Sequence, residues 1–243
     1  MEMETQSAPI LVTRPQAEGQ AFAKALTARF GARLRPVLSP LLAPRNLTPS
    51  LPDRDYAAVI FTSAQAVQAA RPLASRLPSL AWCVGAKTAK AATAAGFRSR
   101  SADGDAEALV AAIAADPPDG SILYLRGVDT AFNLLTRLDD IGIQADETIV
   151  YLQEPQPLAA DALALLREPL DILVPLFSPR TARLFRAALP DDTRARLHIA
   201  AMSGNVAEAL GDLPHAALTI AGHSDAPAML DAVETLLVRL PPP

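Results

Sequence analysis

Four cations stand where this sequence predicts strand ends and the first turns of helices. Arg14 follows Val12-Thr13, Arg126 follows Tyr124-Leu125, Lys87 lies in Gly85-Ala86-Lys87-Thr88, and Arg180 follows Ser178-Pro179. The helix macrodipole disfavours a cation in the first turn by about 0.3–1 kcal/mol, so Lys87 and Arg180 occupy places that helix stability alone would not select. The same ends carry hydroxyls and small residues: Thr13, Thr62-Ser63, Gly85 with Thr88, Ser178, and Ser203-Gly204-Asn205. Free backbone N–H groups at helix N-termini, with hydroxyls and cations beside them, suit the binding of an anion such as a carboxylate. Ser63 and Ser178 also read as N-caps, the second reinforced by Pro179 at the first helical position. Capping does not use up a hydroxyl, which has two lone pairs and a proton. Each cation taken singly is equally well read as solvated surface. Their shared placement points to an anion site.

Proton transfer has one candidate. Tyr151 lies in Ile149-Val150-Tyr151-Leu152, an extended stretch expected beside the ligand, where packing is the competing role. The familiar catalytic motifs are missing. No Gly-x-Gly-x-x-Gly follows a strand and no Gly-x-x-x-x-Gly-Lys-[Ser/Thr] occurs, which disfavours dinucleotide and P-loop sites. His198, His215 and His223 lack a metal-ligand spacing and have no Gly-x-Ser-x-Gly partner. His198, inside an apolar strand, reads as a core or edge residue, Cys83 beside Trp82 as a small buried hydrophobe, and Asp139-Asp140 as a solvated helix end.

Short apolar runs alternating with longer alanine- and leucine-rich amphipathic stretches must position these groups. Strands are expected at Ile10–Thr13, Ala57–Thr62, Leu80–Val84, Ile122–Leu125, Ile149–Leu152, Ile172–Phe177, His198–Met202 and Ala217–Ile220. Strands separated by helices argue for an α/β protein with parallel sheets covered on both faces. Half of the 243 residues are hydrophobic and 20% are charged, which excludes wholesale disorder. A net charge of −4 provides no global basic field, so nucleic acid or an anionic membrane bound by bulk charge is not expected as a partner. The single cysteine excludes a disulfide framework and a cysteine-rich metal site. The uncharged stretch from Tyr56 to Ala70 is too short for a bilayer. The Met-Glu-Met-Glu start lacks a basic signal-peptide region. A cytoplasmic protein is the expectation.

The chain also resembles itself. Phe61-Thr62-Ser63 answers Leu176-Phe177-Ser178, Val84-Gly85-Ala86-Lys87-Thr88-Ala89 answers Met202-Ser203-Gly204-Asn205-Val206-Ala207, and Ile10-Leu11 with Arg14 answers Ile122-Leu123 with Arg126. These matches fall in an order that predicts an ancient duplication in which one copy interrupts the other. Residues 1–36 and 153–243 are expected to form a discontinuous first lobe and 42–147 an inserted second lobe. Segments 37–41 and 148–152 would join them as a two-stranded β strap, with the ligand in the cleft. A single continuous sheet is the alternative.

Val12-Thr13-Arg14-Pro15, Val59-Ile60-Phe61-Thr62-Ser63-Ala64 with Ala66-Val67, Val84-Gly85 with Thr88-Ala89, Val150-Tyr151, and Phe177-Ser178-Pro179 together resemble uroporphyrinogen-III synthases. The resemblance runs in order from about Ile10 to Leu237. It implies two flavodoxin-like lobes on a β strap. It also implies an enzyme that closes hydroxymethylbilane, inverting the last pyrrole ring through a spiro intermediate and releasing water, without cofactor or metal. By the same resemblance Thr88 and Tyr151 match the family's helix-start threonine and strap tyrosine, and Ser63 and Ser178 match its serines after the two Phe-containing strands. The sequence departs from the family at Val206, where the other lobe often carries a threonine; any role for that hydroxyl passes to Asn205 or Ser203, or is absent. A monomer is expected, meeting the preceding enzyme of the pathway only transiently. The competing class is a non-catalytic two-lobed protein that closes on a small polycarboxylate, with a nucleotide enzyme as a remote third.

Overall fold

A computed structural model describes residues 7–129 and 132–240. Two parts of the chain form separate compact units: residues 1–43 with 155–243, and residues 44–154.

The first unit contains β1 (Ala8–Val12), α1 (Gln16–Phe30) and β2 (Leu34–Leu38). The second runs through β3 (Leu42–Asn46), β4 (Ala58–Phe61), α2 (Ala64–Ala70), β5 (Leu80–Cys83), α3 (Ala86–Ala94) and β6 (Arg98–Ser101). It continues with α4 (Ala106–Ala115), β7 (Ile122–Gly127), α5 (Leu134–Asp139) and β8 (Ala145–Pro155). The chain then returns to the first unit with α6 (Ala160–Arg167), β9 (Asp171–Leu176), α7 (Pro179–Ala188), β10 (Arg196–Ala201), α8 (Gly204–Glu208), β11 (Ala217–Ile220) and α9 (Ala226–Arg239). Residues 37–38 thus finish β2, and 148–152 lie inside β8.

Two sheets result. Their strand orders are β11-β10-β9-β1-β2 and β3-β8-β7-β4-β5-β6. The pairs β1–β2, β1–β9, β9–β10, β10–β11, β4–β5, β4–β7, β5–β6 and β7–β8 are all parallel. Numbered from β4, the second sheet reads 3-2-1-4-5 with β3 added at the edge. Numbered from β9 and continued at β1, the first sheet reads 3-2-1-4-5 as well. Numbered instead in plain chain order (β1, β2, β9, β10, β11), the first sheet is 2-1-3-4-5, the order of flavodoxin, and the second sheet has the same arrangement when its numbering begins at β7. Both orders are doubly wound and share a switch point beside the first strand, where helices leave toward opposite faces.

Each sheet is apolar on both sides. In β4, Val59 and Phe61 pack with α2 and α3, while Ala58 and Ile60 face Leu109 and Ile113 of α4. In β1, Leu11 faces Ala182 and Phe185 of α7, while Ile10 and Val12 face Phe22 and Leu26 of α1. This alternation explains why the central strands read as unbroken apolar runs, since successive side chains serve opposite cores. Side-chain oxygens of Ser63, Asp105, Ser178 and Asp225 accept from the backbone N–H three residues on and start α2, α4, α7 and α9.

Candidate active site

In the second unit β7 and β8 bring two phenols onto the two consecutive hydroxyls that follow β4. Thr62 Oγ1 is 3.1 Å from the Tyr124 hydroxyl, and Ser63 Oγ is 3.2 Å from that of Tyr151. Ser63 Oγ also accepts from the Ala66 N–H at 3.1 Å, so the cap fixes the oxygen that meets Tyr151. Thr62 and Ser63 are neighbours at the exit of β4, where extended backbone turns them to different sides; each therefore takes a different tyrosine. The two phenols line one cavity of about 340 Å³ with Thr62, Val84, Gly127 and Phe132 among its walls. Burial pushes the Tyr124 phenol above its ordinary pKa against the opposing effect of the Thr62 hydrogen bond, so this group remains a neutral hydrogen-bonding phenol at neutral pH.

Gly85 caps α3 with no side chain, Lys87 is exposed in its first turn, and Thr88 is buried. Arg126 behaves differently from the other cations. It holds Glu147 on the neighbouring strand through Nε at 2.8 Å and Nη2 at 2.6 Å, and Nη1 donates to the carbonyls of Gly127 and Val128. The pairing lifts the pKa of Arg126 and holds the Glu147 carboxyl below its usual range, chiefly through their hydrogen bond. This cation arrives already matched.

In the first unit, Thr13 is buried and its Oγ1 has no hydrogen-bond partner. Arg14 lies 4.0 Å above the ring of Phe177, which meets Phe22 edge-on at a centroid distance of 4.9 Å. Burial lowers the pKa of Arg14, with Glu18 opposing the shift, and among the described residues Arg14 forms no salt bridge. Ser178 caps α7 through the Thr181 N–H at 3.1 Å and meets the Thr181 hydroxyl at 2.9 Å. Pro179 and Arg180 form the first turn of α7. Ser203 caps α8 without a side-chain hydrogen bond, while Gly204 and Asn205 are exposed. Val206, which aligns with Thr88 in the sequence, is buried in the core against α6 and α7.

A family model for uroporphyrinogen-III synthase HemD matches residues 20–231. The chain belongs to the uroporphyrinogen-III synthase family. A uroporphyrinogen-III synthetase from Helicobacter pylori shares the fold with a TM-score of 0.61 at 17% identity, covering 95% of this chain and 99% of that one. A mutant uroporphyrinogen III synthase from Thermus thermophilus is also similar, at 17% identity and a TM-score of 0.47, covering 96% of this chain and 100% of that one. No curated protein matches the chain.

For a member of the uroporphyrinogen-III synthase family, three residues of this arrangement escape sequence reading: Tyr124, Gly127 and Phe177. Tyr124 sits in an apolar run and looks like core, which it also is. Phe177 carries a signal only by its place one residue before the Ser178 cap. Gly127 has no signal at all, because its meaning depends on strand register. Among the described residues no helix is long and apolar enough to cross a membrane, and no cluster of metal-ligating side chains occurs.

Proposed function

We propose that this chain acts as a uroporphyrinogen-III synthase, closing hydroxymethylbilane with inversion of ring D through a spiro intermediate and loss of water. Family membership over residues 20–231 carries the reading and favours it over a non-catalytic polycarboxylate-binding protein. The site chemistry agrees with a reaction that needs orientation more than a nucleophile. Among the described residues no histidine is hydrogen-bonded to a hydroxyl: His198 bonds Asp171, leaving its Nδ1 buried without a partner, and His215 bonds the carbonyl of Leu213. The bilane closes unaided to the uninverted isomer, and the protein's task is to hold it so that the inverted closure wins.

In this proposal the substrate's carboxylates are taken by Thr13, Arg14, Ser178, Arg180, Ser203, Gly204 and Asn205 in the first unit, with Pro179 fixing the first turn of α7, and by Thr62, Gly85, Lys87 and Thr88 in the second, where Ser63 serves Tyr151. Arg126, matched by Glu147, contributes by holding the end of β7. Departure of the bilane's terminal hydroxyl leaves a cation spread onto a pyrrole nitrogen. A proton delivered to that oxygen turns it into water as the bond breaks. Tyr151 is the proposed donor: it reaches the cavity, and Ser63 fixes its oxygen. The Ser63 oxygen is held by the Ala66 N–H, so the Ser63 proton can point to the tyrosine oxygen while the tyrosine proton points into the cavity. The chain is proposed to work as a cytoplasmic monomer without metal or cofactor, meeting the preceding enzyme of the pathway only transiently. The internal duplication and the β strap belong to the same reading, supported by the common strand order of the two sheets.

The reading is tested by following the disappearance of freshly made hydroxymethylbilane. An enzyme speeds its loss in proportion to protein concentration, whereas a binding protein leaves the rate unchanged or slows it.

A further inference from the structure

We infer that Gly127 is the residue that positions Tyr151, acting through clearance rather than through backbone freedom; the inference rests on the reading of Tyr151 as proton donor.

β7 and β8 pair regularly up to Arg126 opposite Ile149, and the next pair is Gly127 opposite Tyr151. Val150 is the extra residue of a β-bulge. A regular strand would send Val150 and Tyr151 to opposite faces, but here both pack against the core that contains Phe61 and Val67. Re-aiming a side chain in this way is a recurrent use of bulges. The ladder closes again with the Val128 N–H donating to the Tyr151 carbonyl at 3.0 Å. The bulge therefore turns the tyrosine toward β4, and the ring must pass over Gly127 to get there.

That passage leaves no room for a side chain. A Cβ added at Gly127 would lie 2.6 Å from Cζ, 2.9 Å from the hydroxyl oxygen and 3.0 Å from Cε1 of Tyr151. All three nearest atoms belong to the hydroxyl end of this one ring. Gly127 is not among the glycines with positive φ, so its backbone is open to alanine. The ring alone excludes one. With alanine present the ring must move, and the hydroxyl leaves the Ser63 oxygen that it meets at 3.2 Å. Misplacement of a catalytic group by about 1 Å can cost about 10²-fold.

A mutant cycle tests this. Gly127→Ala should lower kcat by about 10²-fold while KM changes little, because the group it displaces is the Tyr151 ring and not a carboxylate-holding residue. In a Tyr151→Phe background the same substitution should lower kcat no further, since the hydroxyl it misplaces is already gone. Wild-type kcat in Gly127→Ala, or losses that multiply in the double variant, would overturn the inference. Wild-type kcat in Tyr151→Phe would instead remove the Tyr151 reading beneath it, an outcome that Gly127→Ala alone cannot produce. Should Gly127→Ala fail to fold, Tyr151→Ala takes the ring away. Gly127→Ala in that background should then leave both the melting temperature and the residual kcat of Tyr151→Ala unchanged. Unfolding or further loss of activity there would show that Gly127 acts on something other than the tyrosine.

Discussion

Arg14 rests its guanidinium 4.0 Å from the centroid of the Phe177 ring, joining the end of β1 to the residue that precedes the α7 cap. The stack orients a half-buried cation that has lost part of its hydration, and among the described residues it has no salt-bridge partner. A substrate carboxylate would supply one. Arg14→Ala should therefore lower kcat/KM by about 10- to 100-fold, the range of a charge-assisted hydrogen bond. Arg14→Lys should recover only part of this, because an ammonium neither stacks nor forks. Steady-state kinetics at low salt, with melting temperatures as a control, checks both.

Arg126 should behave in the opposite way. Its charge is matched by Glu147, and the side chain is only 14% exposed. Arg126→Ala should cost stability and change KM little. The cost should be about 1 kcal/mol, kept small because Glu147 is 37% exposed and partly solvated. Denaturant unfolding of Arg126→Ala and Glu147→Gln beside the double variant measures the coupling; a KM rise as large as that of Arg14→Ala would contradict this assignment.

Asp171 sets an acid limit for the first unit. Hydrogen bonds from Arg196, then from His198, hold its carboxyl below the usual range against the effect of burial. The folded pKa is lower than the unfolded one, so the stabilisation is complete above the unfolded value of about 4 and is lost as pH falls through the folded value. Asp171→Asn should be less stable than the parent near neutral pH, and the difference should shrink below about pH 4. Unfolding midpoints from pH 2 to 7 test the sign.

Val206 tests the departure from the family. It is 1% exposed and packs with Leu176 and Phe185 in one core cluster. Val206→Thr should destabilise by about 1–3 kcal/mol, because it buries a hydroxyl among apolar groups. It should not raise kcat/KM. A gain in activity would show that the missing threonine matters here.

The central strands were legible because sheets buried on both faces give continuous apolar runs, as in Val59-Ile60-Phe61. Of the edge strands, β11 was legible as Ala217–Ile220, whereas β2, β3 and β6 were not. β6 is Arg98-Ser99-Arg100-Ser101 and β3 carries Pro44, Arg45 and Asn46, polar compositions that an edge tolerates and that read as loop. β2 hides behind Pro36. The serine caps and the cation positions followed from local chemistry, and so were visible. Which cations are matched was not visible, because the Arg126–Glu147 pair depends on register between two strands. The Gly127–Tyr151 contact depends on a bulge within that same pairing, and no residue announces it.

The ratio of isomers formed from hydroxymethylbilane decides whether this chain is a uroporphyrinogen-III synthase. The bilane should be incubated with the protein at increasing concentration, the products oxidised, and the porphyrin isomers resolved. Isomer III should replace isomer I as enzyme is added, and Tyr151→Phe should slow this replacement while leaving III as its product. Isomer I alone at every protein concentration, formed at the uncatalysed rate, would contradict that assignment.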